Sequence, residues 1–522
     1  MVPFLGHARL SLFCMFHNEF LVFQPIPEAH SGQLKTRQNK NTPMVAPKKP
    51  EKSQSRSKAD ISPRGITLDL ITAVLRKGWL FDEALASGGR APSELVSGRD
   101  LAKDSTKGLP KNILDRLNPR DRAFVRLMAA TVLRRLGQLD AVIGHCLERP
   151  LPGKAAAVHD ILRLGTAQLL FLATPPYAAV DTAVELARSR GFASYLKLIN
   201  AMLRRISREG AVLIKAQDAS RLNTPDWLWE SWTTTYGEET TRAIAGAHMA
   251  EPPLDLSVSN DPEVWAEKLG GVVLPTGTVR LAKTTRVMEM EGFKDGKWWV
   301  QDAASALPVR LLGDVAGKSV LDLCAAPGGK TLQLASGSAH VTALDRSRVR
   351  LLRLEENLAR MGLKAETICV DAASWQPETP ADAILLDAPC TATGGLRRHP
   401  DVAWLKTPSD VTRLAALADR LLDAAVGMLA PGGRLVFCTC SLEPQEGPER
   451  VQAFLQRTSV VKLVPIEPEE IWRGTGELAG GLADELGGAV TAEGYLRTLP
   501  CHLSQQGGMD GFFAARFEKT QG

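Results

Sequence analysis

The sequence predicts a multidomain chain: an all-α bundle, then a small α+β module, then an α/β domain on a parallel sheet wound on both faces. Three observations predict it. One-face helical spacing runs from about residue 65 to 208, short strand-like runs crowd residues 221–300, and from Ser319 onward apolar runs alternate with helical patterns. At 522 residues the chain is also too long for one core.

Composition narrows the setting. Hydrophobic residues make up 44% and charged residues 23%, with no apolar span long enough to cross a membrane. The eight cysteines, Cys14, Cys146, Cys324, Cys369, Cys390, Cys438, Cys440 and Cys501, show neither a CxxC pair nor a regular disulfide spacing, so a reduced, cytoplasmic setting is expected. Net charge is +5, but residues 1–60 hold nine of the 63 Lys and Arg and four of the 58 Asp and Glu, which leaves 54 of each in the body. A nucleic-acid surface must then come from local segregation of charge. Arg134 with Arg135, Arg204 with Arg205 and Arg208, and Arg397 with Arg398 are candidate clusters, although each alone reads equally as a solvated face.

Residues 1–63 are expected to be a disordered basic tail. Residues 1–30 match neither a signal peptide nor a membrane span, and 31–60, rich in Lys, Ser, Gln and Pro, cannot bury enough apolar area to offset their ordering entropy. Met44 opens the run leading into the first helix, so it is read as an alternative start with residues 1–43 dispensable; a genuine basic arm is the rival reading. In the helical domain, 64–212, Phe124, Leu127, Met128 and Val132 share one face, as do Ile161, Leu164 and Gln168. Residues 221–300 open with NTPDWLWESWTTTYG, a capped aromatic helix, followed by LDLSVS, GGVVL and KWWV as short strands. Trp298 and Trp299 are read as packing a sheet, with base stacking the alternative. In the last domain, 301–522, apolar runs at 319–323, 340–345, 365–371, 383–387 and 434–440 are strands. Leu351, Leu354, Leu358 and Met361 mark one helix, about 410–429 another, and 494–500 and 511–517 supply the final strands.

The chemistry gathers at strand ends. KSVLDLCAAPGGKT, residues 318–331, reads as strand, Gly-rich turn and helix start, and Pro327, Gly328 and Gly329 leave backbone N–H groups open to a ligand. Such a turn alone is weak evidence. Asp345, Asp371 and Asp387 close successive strands on the same rim. Asp345 suits two ribose hydroxyls, Asp371 an adenine amino group, and Asp387 faces both cofactor and substrate. Each aspartate alone reads as well as a helix cap; three in succession point to a ligand. Two thiols join them, Cys390 in ILLDAPCTATGGLRRHPDVAW and Cys440 in GGRLVFCTCSLEPQEGPE, both expected to face the cleft. Cys324, Cys369 and Cys438 are read as small buried hydrophobes. A zinc site lacks its usual CxxC arrangement and a matched His pair, so no metal is expected. A thiolate is suited to adding at an electron-poor ring carbon. Methylation of pyrimidine C5 needs that, because C5 has no lone pair until a nucleophile at C6 turns the ring into an enamine.

Two resemblances follow. LNPRDRAFVRLMAATVLRRLGQLDAVI, ILRLGTAQLLFLATPPYAAVDTAVELAR and LINAMLRRI resemble the NusB-like RNA-binding domain that precedes some bacterial RNA methyltransferases. LDLCAAPGGKT, LDRSRVRLLRLEENLARMG, DAPCTATGGLRRHPDVAWLK and CTCSLEPQE resemble the Sun/Nop-type RNA (cytosine-5) methyltransferases, in the branch that acts on small-subunit ribosomal RNA. Together they cover about residues 65–520. They imply a Rossmann-like methyltransferase domain and, at 221–300, a linker helix with a small RNA-recognition-like subdomain. S-adenosyl-L-methionine is implied at Cys324, Ala325, Ala326, Pro327, Gly328, Gly329 and Lys330, with Asp345, Asp371 and Asp387 as further contacts. Cys440 is implied as nucleophile and Cys390 in product release, with Lys330 and Asp387 lining the cytosine pocket. The implied partner is RNA, 16S ribosomal before transfer RNA, with no membrane and no obligate protein partner. Thr391 stands where Ser is usual, LDLSVSN (254–260) lacks an Arg, and Ala303 replaces a common Glu. The nearest enzyme rival is a DNA cytosine-5 methyltransferase, whose PCQ motif is broken here by Thr391; from a different class comes an RNA-binding assembly factor with a silent methyltransferase fold, for which loss of Cys440 or of the glycine turn would be the sign.

Overall fold

Ser62 starts the helical region: its hydroxyl accepts from the Gly65 N–H at 3.1 Å, Pro63 supplies a preset φ, and Gly78 closes the helix Pro63–Lys77 in the left-handed conformation. The computed structural model describes residues 62–87, 113–282, 286–472, 486 and 488–521; all but the last two positions of the expected tail, the Met44 start included, lie outside them. Asn118 caps the helix Pro119–Arg134 in the same way, accepting from the Asp121 N–H. Leu136–Cys146, Ala156–Leu170, Pro176–Ser189 and Leu196–Ala216 follow. Met128, Val132, Ile161, Leu164 and Leu203 share one core, and Gln168 is buried beside it, accepting from Arg64 Nε at 2.7 Å. Leu127 departs from expectation at 41% exposure, because the buried stripe runs one residue over, through Val125, Met128, Ala129 and Val132.

The helix Asp226–Tyr236 follows Pro225 without a side-chain cap. The expected cap is missing because Thr224 Oγ1 donates back to Ser220 O and the Asn223 amide turns to Gln138 and Ala219. After the helix Glu238–His248 come β1 (Leu254–Val258), β2 (Val272–Val273), β3 (Val279–Leu281) and β4 (Trp298–Val300), an antiparallel sheet in the order β2-β3-β1-β4. One face packs Leu256, Val279 and Trp298 against Ala266 of the helix Pro262–Leu269. The other carries Asp255 and Ser257, both buried, which engage Arg280 and Gln301. Trp298 and Trp299 are also buried, so they pack, as expected. The centre of the sheet is packed on both faces, while Val272 on β2 and Val300 on β4 stay exposed.

The last part is one eight-stranded sheet in the order β10-β12-β9-β8-β5-β6-β7, with β11 paired to β12. Its strands are β5 (Ser319–Leu323), β6 (His340–Asp345), β7 (Glu366–Cys369), β8 (Ala381–Asp387), β9 (Leu429–Thr439), β10 (Val461–Leu463), β11 (Leu496–Thr498) and β12 (Phe512–Lys519). Those from β5 to β9 are parallel; β10, β11 and β9 all run antiparallel to β12. β10 has no counterpart in the sequence expectation. The helix Arg348–Met361 lays Leu351, Leu354 and Leu358 on the sheet, and Pro408–Met428, opened by a Thr407–Asp410 capping box, packs Leu421, Leu422 and Met428 with Leu386 and Phe437. Strand order reverses at β5, between β6 and β8, which sets a crevice at the carboxyl ends of β5 and β8. Among the described residues no helix is long and apolar enough to cross a membrane.

Candidate active site

The crevice is built from the turn after β5. Cys324 takes a φ of 64°, the Ala325 N–H donates to Leu344 O, and the Ala326 N–H donates to Asp345 Oδ2 at 3.2 Å. Gly328 has a φ of 106°, and a Cβ there would lie 2.6 Å from Leu354 Cγ. This glycine is therefore required first by the helix packed behind it, a different reason from ligand approach. The first hydrogen bond of the helix Gly329–Ser336 runs from Leu332 N–H to Gly328 O, so the N–H groups of Gly329, Lys330 and Thr331 precede its ladder.

Across the crevice Lys330 Nζ meets Asp387 Oδ2 at 2.7 Å and lies 4.9 Å from the centroid of the Phe512 ring. Burial alone would lower Lys330, but the charge of Asp387 and the hydrogen bond to it outweigh burial and hold the ammonium above its ordinary value. Asp345 is buried at the end of β6; its Oδ1 accepts from the Ser347 N–H and its Oδ2 pairs with Arg350 at 3.3 Å. Asp371 stands apart. It lies two residues beyond β7, exposed, in a turn where its own Oδ1 accepts from the Ala373 N–H.

The two thiols expected at the cleft come together. Cys390, three residues past β8, and Cys440, one past β9, place their sulfurs 3.5 Å apart. The hydrogen bond to Cys440, burial, and the charges of Cys440 and Glu446 hold the Cys390 thiol well above its ordinary value. Burial and then Asp345 push Cys324 up to about 12, and burial with Asp387 raises Cys438. Cys438 is the buried hydrophobe expected, Cys324 is half-buried on the rim, and Cys369 is exposed, where burial was expected: it ends the edge strand β7.

Three groups around these thiols escaped the sequence reading. Asp322, fully buried within β5, accepts from Thr331 Oγ1 at 2.6 Å, and burial pushes it up to about 7. Glu446 accepts from the Thr391 N–H at 2.9 Å and from the Thr391 hydroxyl, tying the Cys390 loop to the Cys440 loop. Thr391 thus supplies the hydroxyl a Ser would. Glu443 accepts from Trp232 Nε1 at 3.0 Å and Ser231 Oγ at 2.5 Å, binding the same loop to the linker helix. Both glutamates stand in the CTCSLEPQE stretch, where a carboxylate amid buried neighbours is the available signal. Arg397 corrects an expectation: it is 1% exposed, enclosed by Asp302 at 3.3 Å and Asp510 at 3.4 Å, and cannot meet a phosphate. Arg398 pairs with Asp510, Arg134 donates to Arg397 O, and Arg135 donates to Met249 O. Of the three basic clusters, only that of Arg204, Arg205 and Arg208 stands on an open helix face.

Known proteins share this architecture and sequence. A family model described as 16S rRNA methyltransferase RsmB/F matches residues 309–518, and one described as NusB family matches residues 96–208. The solved structure of PH0851 superposes with a TM-score of 0.63 at 23% identity, covering 89% of this chain and 100% of that one, which establishes likeness of fold. Ribosomal RNA small subunit methyltransferase B of Vibrio cholerae is 37% identical over 399 residues, covering 73% of this chain and 91% of that protein. The protein of that name from Cronobacter sakazakii is 36% identical over 398 residues, covering 73% and 90%. With nearly the whole length of these relatives matched and a methyltransferase sheet following a NusB domain, the chain belongs to the RsmB/F family of 16S rRNA methyltransferases.

Proposed function

We propose that this enzyme methylates C5 of a cytosine in 16S ribosomal RNA through a covalent adduct between Cys440 and C6, with S-adenosyl-L-methionine as methyl donor. The observation that carries the reading is the Cys390–Cys440 pair, 3.5 Å between sulfurs, on the rim that also holds Lys330 and Asp387. Two thiols that close can act on one ring; a structural pair of buried hydrophobes has no need of the charged pair beside it.

The residues present fit the donor. Helix-start N–H groups at Gly329, Lys330 and Thr331 and the buried Asp345 carboxylate at the end of β6 flank one crevice, matching the anionic and ribose ends of such a molecule. Asp387, and Asp371 in the exposed turn beyond β7, are the further contacts proposed. Bound there, the donor supplies an electrophilic methyl on sulfur. The rim is safe for it: Cys324, pushed up to about 12, is a neutral thiol at physiological pH and a poor competing nucleophile.

In this reading the Cys440 thiolate adds to C6, the resulting enamine takes the methyl at C5, the C5 proton leaves to solvent, and the C6–S bond breaks to restore the ring and the thiolate. Lys330 and Asp387 offer a donor and an acceptor to the pyrimidine edge. Cys390, held protonated, donates its S–H toward the departing Cys440 sulfur, which is how a thiol assists release. RNA is bound by the helical domain, 64–212, and the cleft together, and the work is done in the cytoplasm.

Bisulfite sequencing of 16S and transfer RNA with and without the gene tests the product and its carrier. Cys440→Ala is expected to bind donor and never methylate. Cys390→Ala is expected to accumulate a covalent protein–RNA species stable to denaturing electrophoresis, absent from the double variant. Accumulation in Cys440→Ala in place of Cys390→Ala would reverse the roles.

A further inference from the structure

The chain that leaves Cys390 does not stay in the methyltransferase domain. Thr391 is anchored to Glu446, and the Gly394 N–H donates to Cys440 O at 2.9 Å while Gly394 O accepts from the Gly511 N–H. The segment then crosses to the helical domain. Arg134 Nη2 donates to Arg397 O at 2.8 Å; Asp401, 1% exposed, accepts from the Phe81 N–H at 2.8 Å; and Trp404 Nε1 donates to Leu133 O at 2.9 Å. Phe81 opens the helix Phe81–Ser87, while Leu133 and Arg134 end the helix Pro119–Arg134, so two helix ends grip one segment. Leu405 at its far end packs beside Phe81 and Leu133. Nothing in methyl transfer itself requires this route.

We infer that residues 391–405 form a strap through which the docked helical domain positions Cys390, with Asp401 and Trp404 as positioning residues for the release step. Three features support it. The hydrogen bond from Phe81 to Asp401 is buried and those at Arg397 and Trp404 are part-buried, where a hydrogen bond is stiff and costly to lose, while His399 adds a more exposed contact to Asp82 at 3.3 Å. Between Cys390 and the anchors at Asp401 and Trp404 the strap has no slack, because the enclosed Arg397 is held by Asp302, from the junction with the small module, and by Asp510, from the end of the sheet. Near its start, a Cβ at Gly394 would lie 2.0 Å from Gly511 O, so the strap cannot shift locally without moving the Cys440 carbonyl bonded to it. A displacement at Asp401 is thereby carried to the 3.5 Å approach of the two sulfurs.

The inference rests on the release role proposed for Cys390, and the test separates the two. In full-length enzyme, Asp401→Ala is expected to lower kcat by about tenfold, the scale set by sub-ångström misplacement of a reacting group. KM for RNA should be unchanged, and covalent protein–RNA should accumulate as in Cys390→Ala. Asp401→Asn, which keeps an acceptor for Phe81, should restore turnover. A lowered Tm with parental kcat and no adduct would overturn the inference and leave a purely structural contact. If Asp401→Ala does not fold, Trp404→Phe, which removes the N–H and part of the ring while keeping an aromatic in place, carries the same test: raised adduct supports the strap, and parental kcat at lowered Tm overturns it. If Cys390→Ala itself traps no adduct, the release role is at fault and not the strap. The strap is then read from the rate at which iodoacetamide alkylates Cys390 in a Cys440→Ala background. A faster rate in Asp401→Ala supports it, and an unchanged rate overturns it.

Discussion

Asp322 sits inside a parallel strand with no exposure, its Oδ2 bonded to Thr331 and its Oδ1 without a hydrogen-bond partner. Burial raises it from 3.8 to about 7, and the sign of its effect on stability follows. Below the lower value both native and unfolded chains carry the proton. As pH rises from 3.8 toward 7 the unfolded chain releases it while the native one keeps it, so stability falls across that window. The loss is at most about 4 kcal/mol. Asp322→Asn should therefore gain stability over the parent more at about pH 7.5 than at about pH 5, measured by urea unfolding. An equal difference at both pH values would show that the carboxylate is already ionised in the native state. Residues of this kind explain what sequence reading reaches. Asp345, Asp387, Cys390 and Cys440 are legible because strand and helix alternation places them on one rim. Asp322 is not, since a carboxylate within an apolar run has no local sign of its partner. Arg397 is misleading because an Arg-Arg pair in a loop looks solvated, and the acids that enclose it are 95 and 113 residues away in sequence.

At the scale of elements, the strands are legible from their apolar runs, and their ends less so. Pairing decides where a strand stops, and β7 loses its partner after Cys369, leaving Asp371 in a turn. The helix Pro119–Arg134 shows the same limit, since a one-residue rotation of its buried stripe puts Leu127 in solvent. The loops after β8 and β9 are joined by the Gly394 N–H to Cys440 O, by the Leu442 N–H to Thr393 Oγ1, and by one buried carboxylate. Glu446 is 1% exposed and receives both the N–H and the hydroxyl of Thr391. Glu446→Ala would bury two donors without an acceptor, at about 1–3 kcal/mol for each group. A several-degree fall in Tm and a loss of kcat are expected, whereas Glu446→Gln, which keeps one acceptor oxygen, should lie between. Thermal melting and single-turnover methylation check this; an unchanged Glu446→Ala would mean that the bonds of Gly394 and Thr393 to the Cys440 loop align the thiols without it.

At the scale of the whole molecule, charge is distributed against a generic nucleic-acid binder. The body beyond residue 60 carries equal numbers of acids and bases, and some of its arginine is spent on internal acids: Arg280 on Asp255 and Arg397 on Asp302 and Asp510, with the exposed Arg398 also paired to Asp510. The centre of the small module's sheet is packed on both faces, with Trp298 and Trp299 buried. Phosphate attraction must then come from what is left open, and on the helical domain Arg204 and Arg208 are exposed on the helix Leu196–Ala216, with Arg205 half-exposed and shared with Glu209 at 2.9 Å. Reversing Arg204, Arg205 and Arg208 to Glu should weaken RNA binding while leaving donor affinity unchanged, because no anchor of the cleft passes through them. The slope of log binding constant against log salt should become shallower by about two to three, one step for each phosphate that the protein ceases to neutralise. Filter binding at several salt concentrations, with donor affinity by calorimetry, reads both. An unchanged slope would remove the helical domain's open face from the RNA interface and place recognition in the cleft alone.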